Sequence, residues 1–452
     1  MPRLFGTNGV RGVVNEDMNI YLASNLGSAI GTWLAGGKVA IATDTRTSNE
    51  MLKSGVISGL LSTGCSVVDL GCAPTPVLQY HVKLTDVDHG IVITASHNPP
   101  NFNGIKCVDC DGTELSRKKE EEIEALYFNK SFERVPWDKI GGVTQDANAI
   151  EDYIKGVIKN IDSEATKSAD LKVVLDCGNG AGSLVSPYLL ERMGCKVVTL
   201  NAHPQGTFPG HESEPTPENL KDLIEATVNF GADLGIAHDG DADRTIIIDE
   251  KGNYLYGDRI LALVTRELLR ENNGGVIVTT VASSLAMDDV VKDNHGEIIY
   301  TKVGSPIVAR KMMETNAIFG GEENGGLIFP KHQFCRDGGM AAAKVVEIIA
   351  KQKKPLSDLI AELPKYHLYK TKVVCPNEKK ESALKEFAKR IKSEKVDLTD
   401  GVKILSEDSW VLVRPSGTEP IYRIFAEAKD VKKAEEIAEE NKKIIADIIK
   451  KS

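Results

Sequence analysis

Long apolar runs are missing from this sequence. No stretch approaches the roughly 18 apolar residues that cross a bilayer, and the opening Met-Pro-Arg-Leu-Phe-Gly lacks the apolar core of a secretory signal. The expectation is a cytoplasmic protein with no membrane partner. A basic surplus is missing too: the formal net charge is −10, whereas binding a phosphate backbone needs a broad excess of Lys and Arg. Nucleic acid is therefore excluded as a partner, although a locally basic site for a small anion is not. Paired cysteines are also lacking. Of eight cysteines only Cys107 and Cys110 form a CxxC, so no second pair completes a zinc site, and reduced thiols are expected.

What is there is the composition of an ordinary α/β enzyme, 41% apolar and 27% charged, in a chain of 452 residues that is too long for one core. Three stretches share one plan of short β-branched strands separated by amphipathic segments. The first has strands near Val39–Asp44, Gly64–Leu70 and Gly90–Thr94. The second has Lys172–Asp176, Gly194–Leu200 and Ala232–Ala237, and the third Gly275–Val281, Gly296–Thr301 and Ala317–Gly321. This predicts a repeated α/β unit with mixed, largely parallel sheets covered by helices. From about Pro364 the pattern changes to a smaller α+β domain that ends in a helix with one apolar face, Ala434 to Ile449.

Each third strand runs into a polar loop: Ala95–Pro99, His238–Arg244 and Glu322–Gly326. In open α/β sheets ligands bind beyond the carboxyl ends of the strands, so these loops predict one shared cleft. Turn chemistry alone is the bland account of such loops.

Asp239, Asp241 and Asp243 alternate along a short loop, so their oxygens can converge on a hard divalent cation, for which Mg²⁺ fits best. An EF-hand is excluded because its sixth position demands Gly and here holds Arg244. An acidic surface turn is the alternative, at the cost of repulsion that Arg244 offsets only in part. Ser96 stands where the chain must turn, before Asn98-Pro99-Pro100, and lacks the G-x-S-x-G elbow of a hydrolase. By itself it reads as a cap or turn residue. Beside the aspartates it acquires a chemical purpose, since a phosphoserine supplies the oxygens with which Mg²⁺ completes its shell.

His97 and Lys106 flank that loop. Arg414-Pro-Ser-Gly-Thr418 offers a guanidinium, two hydroxyls and glycine-exposed amides, which make a phosphate cradle or else a Pro-Gly hairpin turn. Glu322, Glu323 and Asn324 can accept from and donate to sugar hydroxyls.

Five segments together resemble the α-D-phosphohexomutase superfamily, nearly end to end: Phe5–Gly12, Thr94–Pro99, Asp239–Arg244, Gly321–Gly326 and Arg414–Pro420. The resemblance implies four domains around a central cleft: a phosphoserine-bearing domain over 1–150, a metal-binding domain over 151–255, a sugar-recognition domain over 256–365 and a phosphate-binding domain over 366–452. It implies Ser96 as phosphoserine and as a metal ligand with Asp239, Asp241 and Asp243. Arg11, His97, Lys106 and Arg244 become the electrostatic and acid/base groups. Glu322 and Asn324 would read the sugar, Lys302 and Gly304 would face its far end, and Arg414, Ser416, Gly417 and Thr418 would hold the non-reacting phosphate. One Mg²⁺ per chain and a hexose bisphosphate, as activator and intermediate, are the implied cofactors; a small sugar phosphate is the partner, and a homodimer is allowed.

Two positions depart from the pattern. Gly326 stands where many members carry a His that is a candidate general base; Lys106, ranked first, His97 or His332 are the replacements in reach. Asn8 replaces an Asp frequent in related glucosamine-phosphate enzymes. Interconversion of glucosamine 1-phosphate and 6-phosphate is the expected reaction. A phosphomannomutase/phosphoglucomutase of broad specificity and a Mg²⁺-dependent sugar phosphatase are the alternatives.

Overall fold

The computed structural model describes residues 3–6, 8–391, 395–416 and 420–451. The chain divides into two compact units, Met1–Ile260 with Asn324–Leu359, and Leu261–Glu323 with Ile360–Ser452.

Two mixed sheets are complete within the first unit. In one, Gly37–Thr43 lies between Cys65–Cys72 and His89–Ile93 and is parallel to both. Val39, Ala40, Ile41 and Ala42 are fully buried there, as befits a central strand covered on both faces. Phe102–Val108 adds antiparallel to His89–Ile93 and carries Val10–Val13 on its far side, with Arg11 opposite Gly104 and Lys106 opposite Val92. These two antiparallel additions bring Arg11 and Lys106 beside the loop that follows Ile93. The helices Ile20–Leu34 and Asn49–Ser62 cover this sheet through Leu26, Ile30, Val56 and Leu60. Each such side chain contributes roughly 1.5–3 kcal/mol by leaving water.

The second sheet repeats the plan, with Lys172–Asp176 between Lys196–Leu200 and Leu234–His238, all parallel. Thr245–Asp249 returns antiparallel with Thr245 opposite His238, so residues 239–244 form the tight reversal that bears the three aspartates. The first unit also holds the antiparallel pair Leu327–Phe329 and Gln333–Arg336. The helix Gly338–Gln352 follows, its first turn capped by Asp337, which accepts from Met340 N–H.

In the second unit Gly275–Thr280 lies between Gly296–Thr301 and Phe319–Gly321, again all parallel. The three repeats read from the sequence therefore share one strand order, with the first strand in the middle. The C-terminal sheet is wholly antiparallel, in the order His367–Val374, Ile421–Ala428, Ser409–Pro415, Val402–Leu405, Val396–Asp397. The helix Val431–Lys451 packs Ala438, Ile445 and Ile448 against Val413, Ile424 and Ala426, the apolar face expected of it. The architecture is three mixed α/β sheets and an antiparallel C-terminal sheet. Among the described residues no helix is long and apolar enough to cross a membrane.

Candidate active site

Ser96 is fully buried and has φ +54, a left-handed conformation that costs a non-glycine residue roughly 1–2 kcal/mol. Hydrogen bonds hold it there. Its N–H donates to Thr94 Oγ1 at 2.9 Å, and its carbonyl accepts from Arg46 Nη2 at 2.9 Å and from Ser213 Oγ at 3.0 Å. Arg46, which sequence reasoning missed, also donates to the carbonyls of Asn98 (2.6 Å), Pro99 (2.6 Å) and Phe102 (2.9 Å) while Asp44 holds its Nε at 3.1 Å. One guanidinium thus shapes the whole Ser96 loop. The backbone fixed in this way aims Ser96 Oγ at Asp239 Oδ2, to which it donates at 2.7 Å.

Asp239, Asp241 and Asp243 are buried, each with a carboxylate oxygen within 4.8 Å of the others. Cations surround them. Lys106 Nζ lies 2.6 Å from Asp241 Oδ2 and 3.5 Å from Asp243 Oδ2; Arg336 Nη2 lies 2.5 Å from Asp243 Oδ2; Arg244 Nε lies 3.4 Å from Asp239 Oδ2. Arg11 completes the group, donating to Asn98 Oδ1 at 2.9 Å and to the Ala95 carbonyl at 3.3 Å. Burial first, with Arg244 and Arg336 adding to it, pushes its guanidinium below the ordinary value although Asp241 and Asp243 pull the other way. Four cations facing three carboxylates form a pocket that favours an added anion.

The carboxylates titrate together. Burial, then repulsion from Asp243 and Asp241, pushes Asp239 up to about 7. Burial also pulls Asp241 upward but is outweighed by the charge and hydrogen bond of Lys106 and by the Thr75 hydroxyl, which donates to Asp241 Oδ2 at 2.5 Å; Asp241 is held well below the carboxylate range. Among the described residues Asp241 Oδ1 and Asp243 Oδ1 are buried with no hydrogen-bond donor, Arg244 Nε standing 3.8 Å from the latter. Two orphaned carboxylate oxygens among hard donors fit a divalent cation, since leaving them unpaired costs several kcal/mol.

His97 is not poised as a base for Ser96. Its Nδ1 accepts from Arg244 Nη2, and because a guanidinium only donates, the ring proton sits on Nε2. The Arg244 charge, and then burial, push this imidazole far below its ordinary value, so it stays neutral. Lys106 is locked to two carboxylates as a donor. His332 lies elsewhere, stacked on Tyr80 at 4.6 Å, edge-on to Tyr153 and 3.4 Å from Asp337, which makes it part of a packing cage.

At Gly326 a Cβ would stand 2.2 Å from Arg336 Cδ and 2.9 Å from its Cγ. The space a side chain at 326 would need is filled by Arg336, which carries a cation to Asp243 instead. Arg336, Thr75 and Arg46 gave no local signal, for the carboxylates and, for Arg46, the carbonyls that they hold at the site are distant in sequence; only proximity in the fold makes them visible. Asn324 Oδ1 accepts from Gly326 N–H at 3.1 Å, and the Gly325 carbonyl accepts from Thr245 N–H at 3.1 Å, which ties this loop to the strand after the aspartates.

The second unit carries the remaining predicted residues. Gly304 N–H donates to Glu322 Oε1 at 2.9 Å at the start of the helix Ser305–Thr315, and Lys302 beside it is exposed. Arg414, next to last in its strand, lies 3.0 Å from Asp400, and the Ser416 carbonyl accepts from Lys380 Nζ at 2.7 Å. Gly417 and Thr418 lie outside the described residues.

A buried hydroxyl set against three carboxylates that suit a divalent cation, with guanidinium and ammonium groups around those carboxylates, is an arrangement of the kind phosphoryl transfer requires. The chain matches four phosphoglucomutase/phosphomannomutase models: α/β/α domain I over residues 2–134, domain II over 151–252, domain III over 256–366 and the C-terminal domain over 371–444. It therefore belongs to the phosphoglucomutase/phosphomannomutase family of the α-D-phosphohexomutase superfamily and is a phosphohexomutase, an isomerase. It is 49% identical over 457 residues, all of both chains, to a phosphoglucomutase/phosphomannomutase of Thermococcus kodakarensis. It is 44% identical over 456 residues, again all of both chains, to a probable phosphoglucosamine mutase of Pyrococcus abyssi. A solved family member from Burkholderia thailandensis, 28% identical, superposes with a TM-score of 0.89 over 98% of this chain and 97% of that one.

Proposed function

We propose that the chain interconverts glucosamine 1-phosphate and glucosamine 6-phosphate through a phosphoserine at Ser96 and a glucosamine bisphosphate. The observation that carries this reading is the Ser96 hydroxyl, 2.7 Å from Asp239 in a carboxylate cluster that Lys106, Arg244 and Arg336 contact. In the first half-reaction the Oγ–P bond of phospho-Ser96 breaks as a bond forms between phosphorus and the free sugar hydroxyl, whose proton passes to the departing Ser96 Oγ. In the second, the bisphosphate presents its other phosphate: that sugar O–P bond breaks as Ser96 Oγ takes the phosphoryl group, and the Oγ proton passes to the freed sugar oxygen. A loose transition state asks little of a base, so Arg11, Lys106, Arg244 and Arg336 carry the catalysis by neutralising charge. His97 orients Arg244. Asp239, Asp241, Asp243 and the Ser96 oxygen would hold one Mg²⁺, which when bound supplies further neutralisation of the moving phosphoryl group.

Arg414 and Ser416, with Gly417 and Thr418, hold the non-reacting phosphate; Glu322, Asn324 and the Lys302–Gly304 loop read the sugar. The domains run over 1–150, 151–255, 256–365 and 366–452. Broad phosphomannomutase/phosphoglucomutase specificity is the second reading, favoured by the 49% identity to the Thermococcus protein of that name. Initial rates with glucosamine 1-, mannose 1- and glucose 1-phosphate, each with a trace of its bisphosphate, decide between them. Isomer without free phosphate is expected, fastest with glucosamine; release of inorganic phosphate instead would point to a phosphatase.

Chelation has a pH signature. A carboxyl whose folded pKa is raised contributes stability below its unfolded value, near 3.9, that is lost as pH rises through the folded value. For Asp239 that window closes at about 7. In chelator the protein is thus expected to melt lower at pH 8 than at pH 5.5, and added Mg²⁺ to raise the melting temperature more at pH 8. Equal Mg²⁺ shifts at both pH values would remove the aspartates as the site.

A further inference from the structure

Under the proposed function the Lys302–Gly304 loop serves the sugar and Arg414 the distant phosphate. One carboxylate joins them. Asp400 Oδ2 accepts from Val303 N–H at 3.2 Å and lies 3.0 Å from Arg414 Nε, close enough for an ion pair although the N–H does not point along a hydrogen-bond line. Both side chains are largely enclosed, 18% and 14% exposed, so water screens the pair only partly.

The turn that carries Asp400 is pressed against the arginine's own strand. Gly401 has φ +91, and a Cβ there would stand 2.4 Å from the Val413 carbonyl oxygen and 2.9 Å from Arg414 Cα. Only glycine lets the turn sit so close. Two residues on, Lys403 donates to the Val281 carbonyl at 2.7 Å and lies over the Trp410 ring at 4.3 Å. Glu427 Oε2 accepts from both Trp410 Nε1 (2.9 Å) and Leu285 N–H (2.7 Å), and Val281, Ala282, Leu412 and Phe425 pack around them. The C-terminal sheet is in this way fastened to the strand ends that precede the sugar loop, and Asp400 is the polar contact nearest both ligand groups.

We propose that Asp400 is a positioning residue that couples the sugar-reading loop to the phosphate-gripping Arg414, so that discrimination between hexoses depends on how the far phosphate is held. The physical reason is that one oxygen serves two partners. Holding Nε leaves the two terminal nitrogens of the planar fork for bidentate contact with a phosphate, while the Val303 bond sets the loop whose next N–H, at Gly304, is set by Glu322. A shift of Arg414 on binding phosphate moves Asp400, and with it the loop. The inference rests on the roles given above to Arg414 and to the Lys302–Gly304 loop.

The test is kcat and KM for glucosamine 1-, mannose 1- and glucose 1-phosphate in the unmodified enzyme and in Asp400→Ala, Asp400→Asn and Arg414→Ala. Asp400→Ala is expected to raise KM about 10-fold or more and to narrow the ratio of kcat/KM between best and worst hexose about 10-fold. Asp400→Asn keeps an acceptor for Val303 N–H and loses the charge that holds Arg414, so KM rises and the ratio narrows less than in Asp400→Ala. Arg414→Ala removes the group to which Asp400 is coupled, so KM rises and the ratio narrows with it. Because a ratio is unaffected by loss of folded protein, a merely structural role would leave it in place. A ratio unchanged in Asp400→Ala, a ratio that moves without any rise in KM, or equal use of all three hexoses by the unmodified enzyme overturns the coupling. An unchanged KM in Arg414→Ala overturns instead the phosphate role of that arginine.

Discussion

Ser96→Ala is expected to lower kcat by about 10³-fold or more while the protein melts within a few degrees of the unmodified one. On the proposed mechanism the loss is large because the hydroxyl would be the atom that carries the phosphoryl group between half-reactions; without it a hexose phosphate would have no partner with which to exchange. The fold survives because the loop is held through backbone. The Ser96 N–H still reaches Thr94, its carbonyl still receives Arg46 and Ser213, and Asp239 keeps Arg244. What is lost is the bond from Oγ to Asp239, with a longer contact at 3.4 Å to His97 Nδ1, at about 1 kcal/mol in net terms. Turnover with added bisphosphate and a phosphoprotein mass shift check it. Normal kcat, or a phosphoryl group still found on the variant protein, would remove Ser96 from the reaction.

Much of the scaffold was legible because each element announces itself locally. Lys172–Asp176 or Gly275–Thr280 is a β-branched run bounded by turn residues, and burial on both faces is what such a run implies. The aspartate loop was legible for a similar reason: alternate carboxylates have one economical use. The antiparallel additions to the first sheet had no such mark. Val10–Val13 is four residues beside two glycines, and its pairing with Phe102–Val108 bridges ninety-odd positions of sequence that no short-range pattern records.

The same limit applies at the site. Lys106 could be singled out from the sequence, but not that its amine sits between Asp241 and Asp243 more than a hundred residues away. Gly326 read as an omission. In the fold it is the room in which Arg336 reaches Asp243, so a position that looked deprived of a functional side chain is where one from another strand passes. Asp400 and Arg46 escaped notice because an aspartate in a turn and an arginine after a strand are commonplace; what distinguishes them is the pair of groups each one bridges.

Arg46→Ala should be the most damaging substitution that touches no reacting atom. Its side chain is fully enclosed, and four carbonyls depend on it. Truncation leaves those acceptors to find water in a buried loop, at about 1–3 kcal/mol each where none reaches them. It also strips Asp44 of its only ion-pair partner among the described residues; burial already pushes that carboxyl above its ordinary range in spite of Arg46. A loss of about 4–6 kcal/mol from the first unit is expected, at the diagnostic end of single-site effects. Arg46→Lys separates stability from positioning. An ammonium restores the charge beside Asp44 but cannot spread donors over four carbonyls, and Ser96 at φ +54 is then left with its bonds to Thr94 and Ser213 while the rest of the loop loses its support. The lysine variant is therefore expected to recover part of the melting temperature and yet to show kcat lowered about 100-fold, because a displacement of the reacting oxygen by about 1 Å costs that much. Full kcat in Arg46→Lys would mean that the loop finds its shape without the guanidinium, and the strained backbone at Ser96 would need another cause.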